Sequence, residues 1–125
     1  MKIEVVNPSK QLDSLGEMEF LALSNFGSGG TGAFWSNPGG RSPWEMHPDC
    51  DELLHVIEGR IEIEVLPQEK GESTISILTA GSFVVVPQGC WHRQRILERT
   101  KEYYLTPGPS LHSTAVDPRI YGEGT

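Results

Sequence analysis

Two short stretches of this 125-residue chain concentrate side chains that can donate to a metal ion. The first reads Glu45-Met46-His47-Pro48-Asp49-Cys50-Asp51-Glu52 and is closed by Gly59; the second runs from Gly81 through Pro87-Gln88-Gly89-Cys90-Trp91-His92. Carboxylate oxygen and imidazole nitrogen are donors that divalent transition metals favour. Both stretches place them at the edge of a predicted strand, and the predicted hairpin between them could bring the two face to face. Strand alternation sorts the candidates, because residues i and i±2 share a face. With His47 inward, Glu45, Pro43 and Arg41 are inward as well. Glu52, Leu54 and Val56 share a face that leaves His55 on the other. After the Pro87-Gln88-Gly89 turn, His92, Gln94 and Ile96 lie together, with Arg93 and Arg95 opposite. The inward donors are therefore Glu45, His47, Glu52 and His92. Such a set suits one divalent transition metal, Fe, Mn, Zn, Ni or Cu, with open positions for water or substrate.

The remaining candidates have plainer readings. Cys50 and Cys90 lack the close paired spacing of a thiolate zinc site and read as two free thiols filling space beside the pocket. Trp44 and Trp91 flank donors but face away from them by parity, which fits packing between sheets. Arg41 is either an inward anchor for a carboxylate or phosphate, or a rim arginine paired to an acidic group. Arg93, Arg95 and Arg99 form a basic cluster on an outer strand face. Tyr103 and Tyr104 put one ring on each face of their strand, so one of them reaches the pocket. His112, in a Pro/Gly-rich tail, is expected to be solvated.

The elements that must position these residues are nearly all strands. Helical periodicity is confined to Pro8–Leu15, where Asn7 or Ser9 could cap the start. Met18 to Phe26 is a predicted strand, Gly27 to Gly30 a flexible loop, and Gly32 to Ser36 a further strand. Ile61, Ile63 and Val65 alternate with Arg60, Glu62 and Glu64, with one face in and one out. Thr74 to Leu78 returns after the Pro67–Gly71 turn. Phe83 to Val86 is a continuous apolar run, as in a strand buried on both sides. Trp91 to Leu97 and Glu102 to Thr106 complete the set, and Pro107-Gly108-Pro109 ends the regular structure. Many short strands with turns between them predict an all-β sandwich or barrel.

Composition narrows the function. The formal net charge is −7, which lacks the basic footprint of a nucleic-acid binder. No apolar run approaches the roughly 18 to 20 residues that cross a bilayer. The start, Met1-Lys2-Ile3-Glu4-Val5-Val6, has no signal-peptide character, so a cytoplasmic location is the default expectation. A small-molecule ligand or substrate is the expected partner.

The spacing of the two stretches resembles the paired motifs of the cupin superfamily, G-x5-HxH-x3,4-E-x6-G and G-x5-PxG-x2-H-x3-N. His47, Glu52 and Gly59 fit the later part of the first motif, and Gly81, Pro87, Gly89 and His92 fit the second at every spacing. The matched span, roughly residues 40 to 96, covers nearly half of the chain. Glu45 stands where the motif has its first His, Ile96 where it has Asn, and the opening Gly is displaced to Gly39 or Gly40. The resemblance implies a small single-domain cupin of the type-2 conserved-barrel kind: a double-stranded β-helix or jelly-roll barrel with an N-terminal extension. Residues 1–125 would form that one domain, with a barrel core at about 18–106 and 107–125 as a C-terminal tail or arm. It implies a homodimer and a barrel metal. The metal would serve a metal-dependent isomerase, lyase or dioxygenase acting on a small polar molecule, or a non-catalytic binding or sensor module. Glu45 is either a fourth ligand, the preferred arrangement, or an acid–base group beside a His47, Glu52, His92 facial triad.

Overall fold

The computed structural model describes residues 1, 3–26 and 29–120. A short helix, α1 (Pro8–Leu12), precedes eight strands: β1 (Leu21–Phe26), β2 (Gly29–Ser36), β3 (Trp44–Met46), β4 (Glu52–Val65), β5 (Thr74–Thr79), β6 (Phe83–Val86), β7 (His92–Thr106) and β8 (Leu111–Ser113). A single 3-10 turn follows at Pro118–Ile120. All eight strands belong to one curled sheet, so the expected all-β jelly-roll barrel with an N-terminal extension is the fold that forms.

Its spine is the antiparallel pair of the two longest strands, in register from Leu53↔Leu105 to Val65↔His92. β4 carries β6 beside its first residues and β5 beside its last. β7 carries β2, and β1 beyond it, along its C-terminal half, and β3 with β8 at its start. The inner faces enclose Leu54, Val56, Ile61, Ile63, Leu78, Val86 and Cys90; Trp44, Leu66 and Trp91 make a second cluster.

A register slip between Val56 and Ile61 bends the spine. Gly59 sits there with φ of 96°, and a Cβ on it would collide with Thr100 Oγ1 and the Arg99 carbonyl oxygen. Even-numbered residues (Leu54, Val56) point inward before the bulge, and odd-numbered ones (Ile61, Ile63) after it. The extra residue of a bulge reverses the parity and increases the twist, letting one strand turn the barrel corner with apolar groups inside on both arms.

Some expectations change. The two predicted segments Trp91 to Leu97 and Glu102 to Thr106 are one continuous β7, because β4 pairs with it throughout. β6 is not buried on both sides: Phe83 and Val85 are 62% and 47% exposed, since only the inner face of β6 meets the core. Regular structure does not end at Pro107, because Leu111–Ser113 turns back to pair with β3. Met18 lies in a turn with positive φ, residues 19 and 20 are irregular, and the first strand starts at Leu21. Gly29 and Gly30 already belong to β2; the rest of the predicted loop, residues 27–28, lies outside the described residues. The Asn7 side chain does cap α1, accepting from Lys10 N–H. Lys101 fastens this extension to the barrel, its Nζ donating to Asp13 Oδ1 (2.6 Å) and the Ser9 carbonyl (2.9 Å). Among the described residues, no helix is long and apolar enough to cross a membrane.

Candidate metal centre

His92 opens β7 beside Val65, the last residue of β4, whereas Glu52 is the first residue of β4. The two meet only because the sheet curls, leaving His92 Nε2 3.0 Å from Glu52 Oε1. β3 pairs Glu45 with His92 directly. The loop after β3 is sewn to the turn before β7: Gly89 N–H donates to the His47 carbonyl (2.9 Å), Gln88 Nε2 to the Pro48 carbonyl (2.9 Å), and Gln88 N–H to Asp51 Oδ1 (2.8 Å). The two motif stretches are thus held edge to edge by one backbone pair and two bonds between side chain and backbone.

The four predicted donors converge. Ligand atoms of Glu45, His47, Glu52 and His92 all lie within 4.8 Å of one another. His47 Nε2 is 3.0 Å from Glu52 Oε2, and both Nε2 atoms are 3.4 Å from Glu45 Oε1. His47, Glu52 and His92 are buried, while the Glu45 side chain keeps 32% exposure on the cavity side.

Several features fit a metal. Donors about 3 Å apart match two bonds of roughly 2.1 Å at a right angle. His47 Nε2 is fully buried yet makes no well-directed hydrogen bond. Its Nδ1 lies 3.3 Å from the Pro109 carbonyl and 3.0 Å from Ser110 Oγ, and His92 Nδ1 faces the Cys90 carbonyl at 3.4 Å. A carbonyl only accepts, so Nδ1 carries the proton and Nε2 is the atom turned to the cluster, the arrangement usual for ligating histidines. Thr106 Oγ1 bonds the second oxygen of Glu52.

The electrostatics are those of a tight acid–base cluster. Burial opposes charge on the imidazoles, but the neighbouring Glu45 and Glu52 carboxylates outweigh it and raise His47 to about 10 and His92 to about 9. Burial likewise opposes charge on Glu45 and Glu52, and the two imidazoles outweigh it, holding both carboxyls below their usual range.

Two participants escaped the sequence reading. His112, expected to be solvated, is exposed, but β8 places its Nε2 3.0 Å from Glu45 Oε2. Pairing of β8 with β3, with Glu45 opposite His112, is what brings it there. Glu102 is fully buried behind the wall; burial, and then the charge of Glu52, push its carboxyl up to about 8. Gln94, with its amide turned toward Glu102, donates to both carboxylate oxygens at 2.9 and 2.8 Å. Its inward parity on the strand of His92 was the available sign.

Other candidates lie outside the four-residue cluster, although Arg93 and Tyr104 line the cavity above it. Arg41 takes the rim role, 3.9 Å from Glu62. Arg93 bonds Glu64 at 2.7 Å and lies over Trp44 at 4.1 Å; Arg99 lies over Trp35 at 4.3 Å. His55 faces the side of the sheet away from the donors, paired with Phe83 and Tyr103. Of the two tyrosines, Tyr104 reaches the cavity. Cys50 and Cys90 are separate thiols, and neither is among the four donors. The cavity above the cluster holds about 610 Å³.

Known proteins share this arrangement of strands. A cupin-2 domain protein from Shewanella frigidimarina superposes with a TM-score of 0.69, over 82% of this chain and 94% of that one, at 21% identity. A hydroquinone 1,2-dioxygenase from a Sphingomonas species, solved with 4-hydroxybenzoate bound, gives 0.65 over 91% and 83%, at 14% identity. These two likenesses are of fold alone. "Uncharacterized protein YdbB" of Bacillus subtilis is 36% identical over 61 residues, 49% of this chain and 50% of that protein, so the match spans about half the length of that relative. Residues 36–106, a span that contains all four donors, match the family model described as a cupin domain, and with the curled eight-stranded sheet around them this makes the chain a member of the cupin family.

Proposed function

We propose that this cupin holds one divalent transition metal between Glu45, His47, Glu52 and His92 and acts as a metal-dependent enzyme on a small molecule in the cavity above. The observation that carries this reading is the buried convergence of two imidazole Nε2 atoms and two carboxylates, with both Nδ1 atoms engaged elsewhere. Two carboxylates would balance a 2+ charge out of water. A bound ion would supply Lewis-acid polarisation of a substrate oxygen, with redox chemistry added if it is Fe, Mn or Cu. The chain's own residues do the rest. His47, Glu52 and His92 are fixed by their outer hydrogen bonds. Glu45 would be a ligand through Oε1; it is the most exposed of the four, and its carboxylate would hold or move a proton at a substrate atom. Isomerase, lyase and dioxygenase chemistry are all open to such a set, and no residue picks among them.

Metal analysis of protein purified without chelator tests the reading, with about one ion per chain expected. His92→Ala should empty the site. Glu45→Gln should keep the ion near one per chain and lose turnover. A protein that neither carries nor takes up Fe, Mn, Co, Ni, Cu or Zn would overturn it. A binding or sensor role is the alternative; it would appear as ligand-dependent melting without ligand consumption. A homodimer belongs to the same proposal, supported by the apolar outer strip of Leu53, Phe83, Val85 and Leu105, adjacent across β6, β4 and β7.

A further inference from the structure

The cavity over the four donors has unlike parts. Away from Glu45, His47, Glu52 and His92, its wall is largely apolar and includes Met18, Phe20, Phe34, Leu54, Ile96 and Tyr104. Three of these are rings in mutual contact. Phe20 stacks on Phe34 with centroids 4.7 Å apart and planes 24° from parallel, and Tyr104 tilts against both at 6.3 and 6.4 Å. Phe34 is buried, but Phe20 is 58% exposed, leaving apolar ring surface in water at the cavity edge. The ring of Tyr104 depends on its neighbour across β2: a Cβ on Gly32 would collide with it. The barrel has therefore left room for this ring at the cost of a side chain in a strand.

Charge around the cavity is one-sided. Arg93 is the arginine or lysine among the lining residues, and its guanidinium is taken by Glu64 and Trp44. The lining imidazoles are His47 and His92, within the cluster, and His112, bonded to Glu45. Among the described residues, a phosphate or a second carboxylate would find no free cation along this wall; its polar side chains Ser36, Ser42 and Gln94 are turned to the Asn37 carbonyl, the Pro43 carbonyl and Glu102, so a polyol would find few free partners there.

We propose that the cavity takes a flat, apolar-bodied molecule with its oxygen groups confined to one end, an aromatic acid or phenol in class. The oxygens face the four donors and the ring lies against Phe20, Phe34 and Tyr104. The oxygen end of this proposal rests on the metal reading; the ring end does not.

Benzoate and acetate share one carboxylate head and differ by the ring. Titrated calorimetrically into the Co²⁺-loaded protein, benzoate should bind about tenfold or more tightly than acetate. Phe20→Ala should shrink that advantage to about threefold or less, with acetate affinity and Co²⁺ content unchanged. Equal binding of the two probes, or a benzoate advantage indifferent to Phe20, would overturn the proposal. If the protein takes up no Co²⁺, the metal reading fails by itself. Benzyl alcohol against methanol, with the metal-free protein, then reads the ring end; a Phe20-dependent preference for benzyl alcohol sustains it, and none defeats it.

Discussion

Glu45 divides its two oxygens between separate networks. Oε1 faces the Nε2 atoms of His47 and His92, and Oε2 faces His112 Nε2 at 3.0 Å. A carboxylate only accepts, so His112 presents an N–H there, and it acts as a positioning residue for Glu45. Removing such an outer partner commonly weakens a metal site by 10- to 100-fold. His112→Ala is accordingly expected to lower Co²⁺ affinity about tenfold in competition with a chromophoric chelator. His112→Gln, which keeps an N–H donor, should recover part of the loss. Protons compete for the same atoms. His47 and His92 are raised from 6.5, so their contribution to the metal-free fold is fully present below about 6.5 and lost as the pH rises through 9 to 10. Glu45 and Glu52 are lowered from 4.5, so theirs is present above about 4.5 and lost as the pH falls. Metal-free protein should thus melt highest between about pH 4.5 and 6.5, falling away on both sides. Metal must displace the Nε2 protons, so uptake at pH 7 should release about two protons per ion. Calorimetry in buffers of different ionisation enthalpy measures this, and a heat independent of buffer would contradict it.

At the scale of elements, the bend in the β4–β7 pair carries the site. Gly59 takes a left-handed conformation against Thr100 and the Arg99 carbonyl, so Gly59→Ala meets both backbone strain and a collision. We expect it to cost about 2 kcal/mol or more, read as a lower urea midpoint, and to weaken metal binding by shifting Glu52 relative to His92. An unchanged midpoint would show that the corner is not where the barrel is set. β8 contributes differently, because its pairing with β3 brings His112 to Glu45 while the preceding residues 109 and 110 reach His47.

For the whole molecule, the inner and outer faces of the sheet divide the work. The inner face holds the core and the donors, while the outer face shows an apolar strip around Phe83 and Val85. Equilibrium sedimentation should find a dimer, and Phe83→Glu should shift it toward monomer with metal content unchanged, since Phe83 faces away from the site. A wild-type monomer at micromolar concentration would remove the dimer from the picture. Metal should also raise the melting temperature, because an ion at 100 times its Kd adds about 2.7 kcal/mol to the folded state.

Strand periodicity, the turn residues and the spacing of His47, Glu52, Gly59, Gly81, Pro87, Gly89 and His92 determined the fold class and named all four donors. Those features are local: alternation within one strand and the demands of one turn fix them wherever the chain goes. The sequence could not show that Leu54–Val56 and Ile61–Ile63 are arms of one strand, because the bulge at Gly59 exchanges the inward parity between them. Nor could it recruit His112, set Gln94 against Glu102, or choose between the two readings of Arg41. Each of those depends on which distant strand lies alongside, and long-range pairing leaves no period in the sequence. Glu45 shows the division most plainly. Alternation placed it inward with His47, Glu52 and His92, and only the pairing of β3 with both β7 and β8 gave its two oxygens different partners.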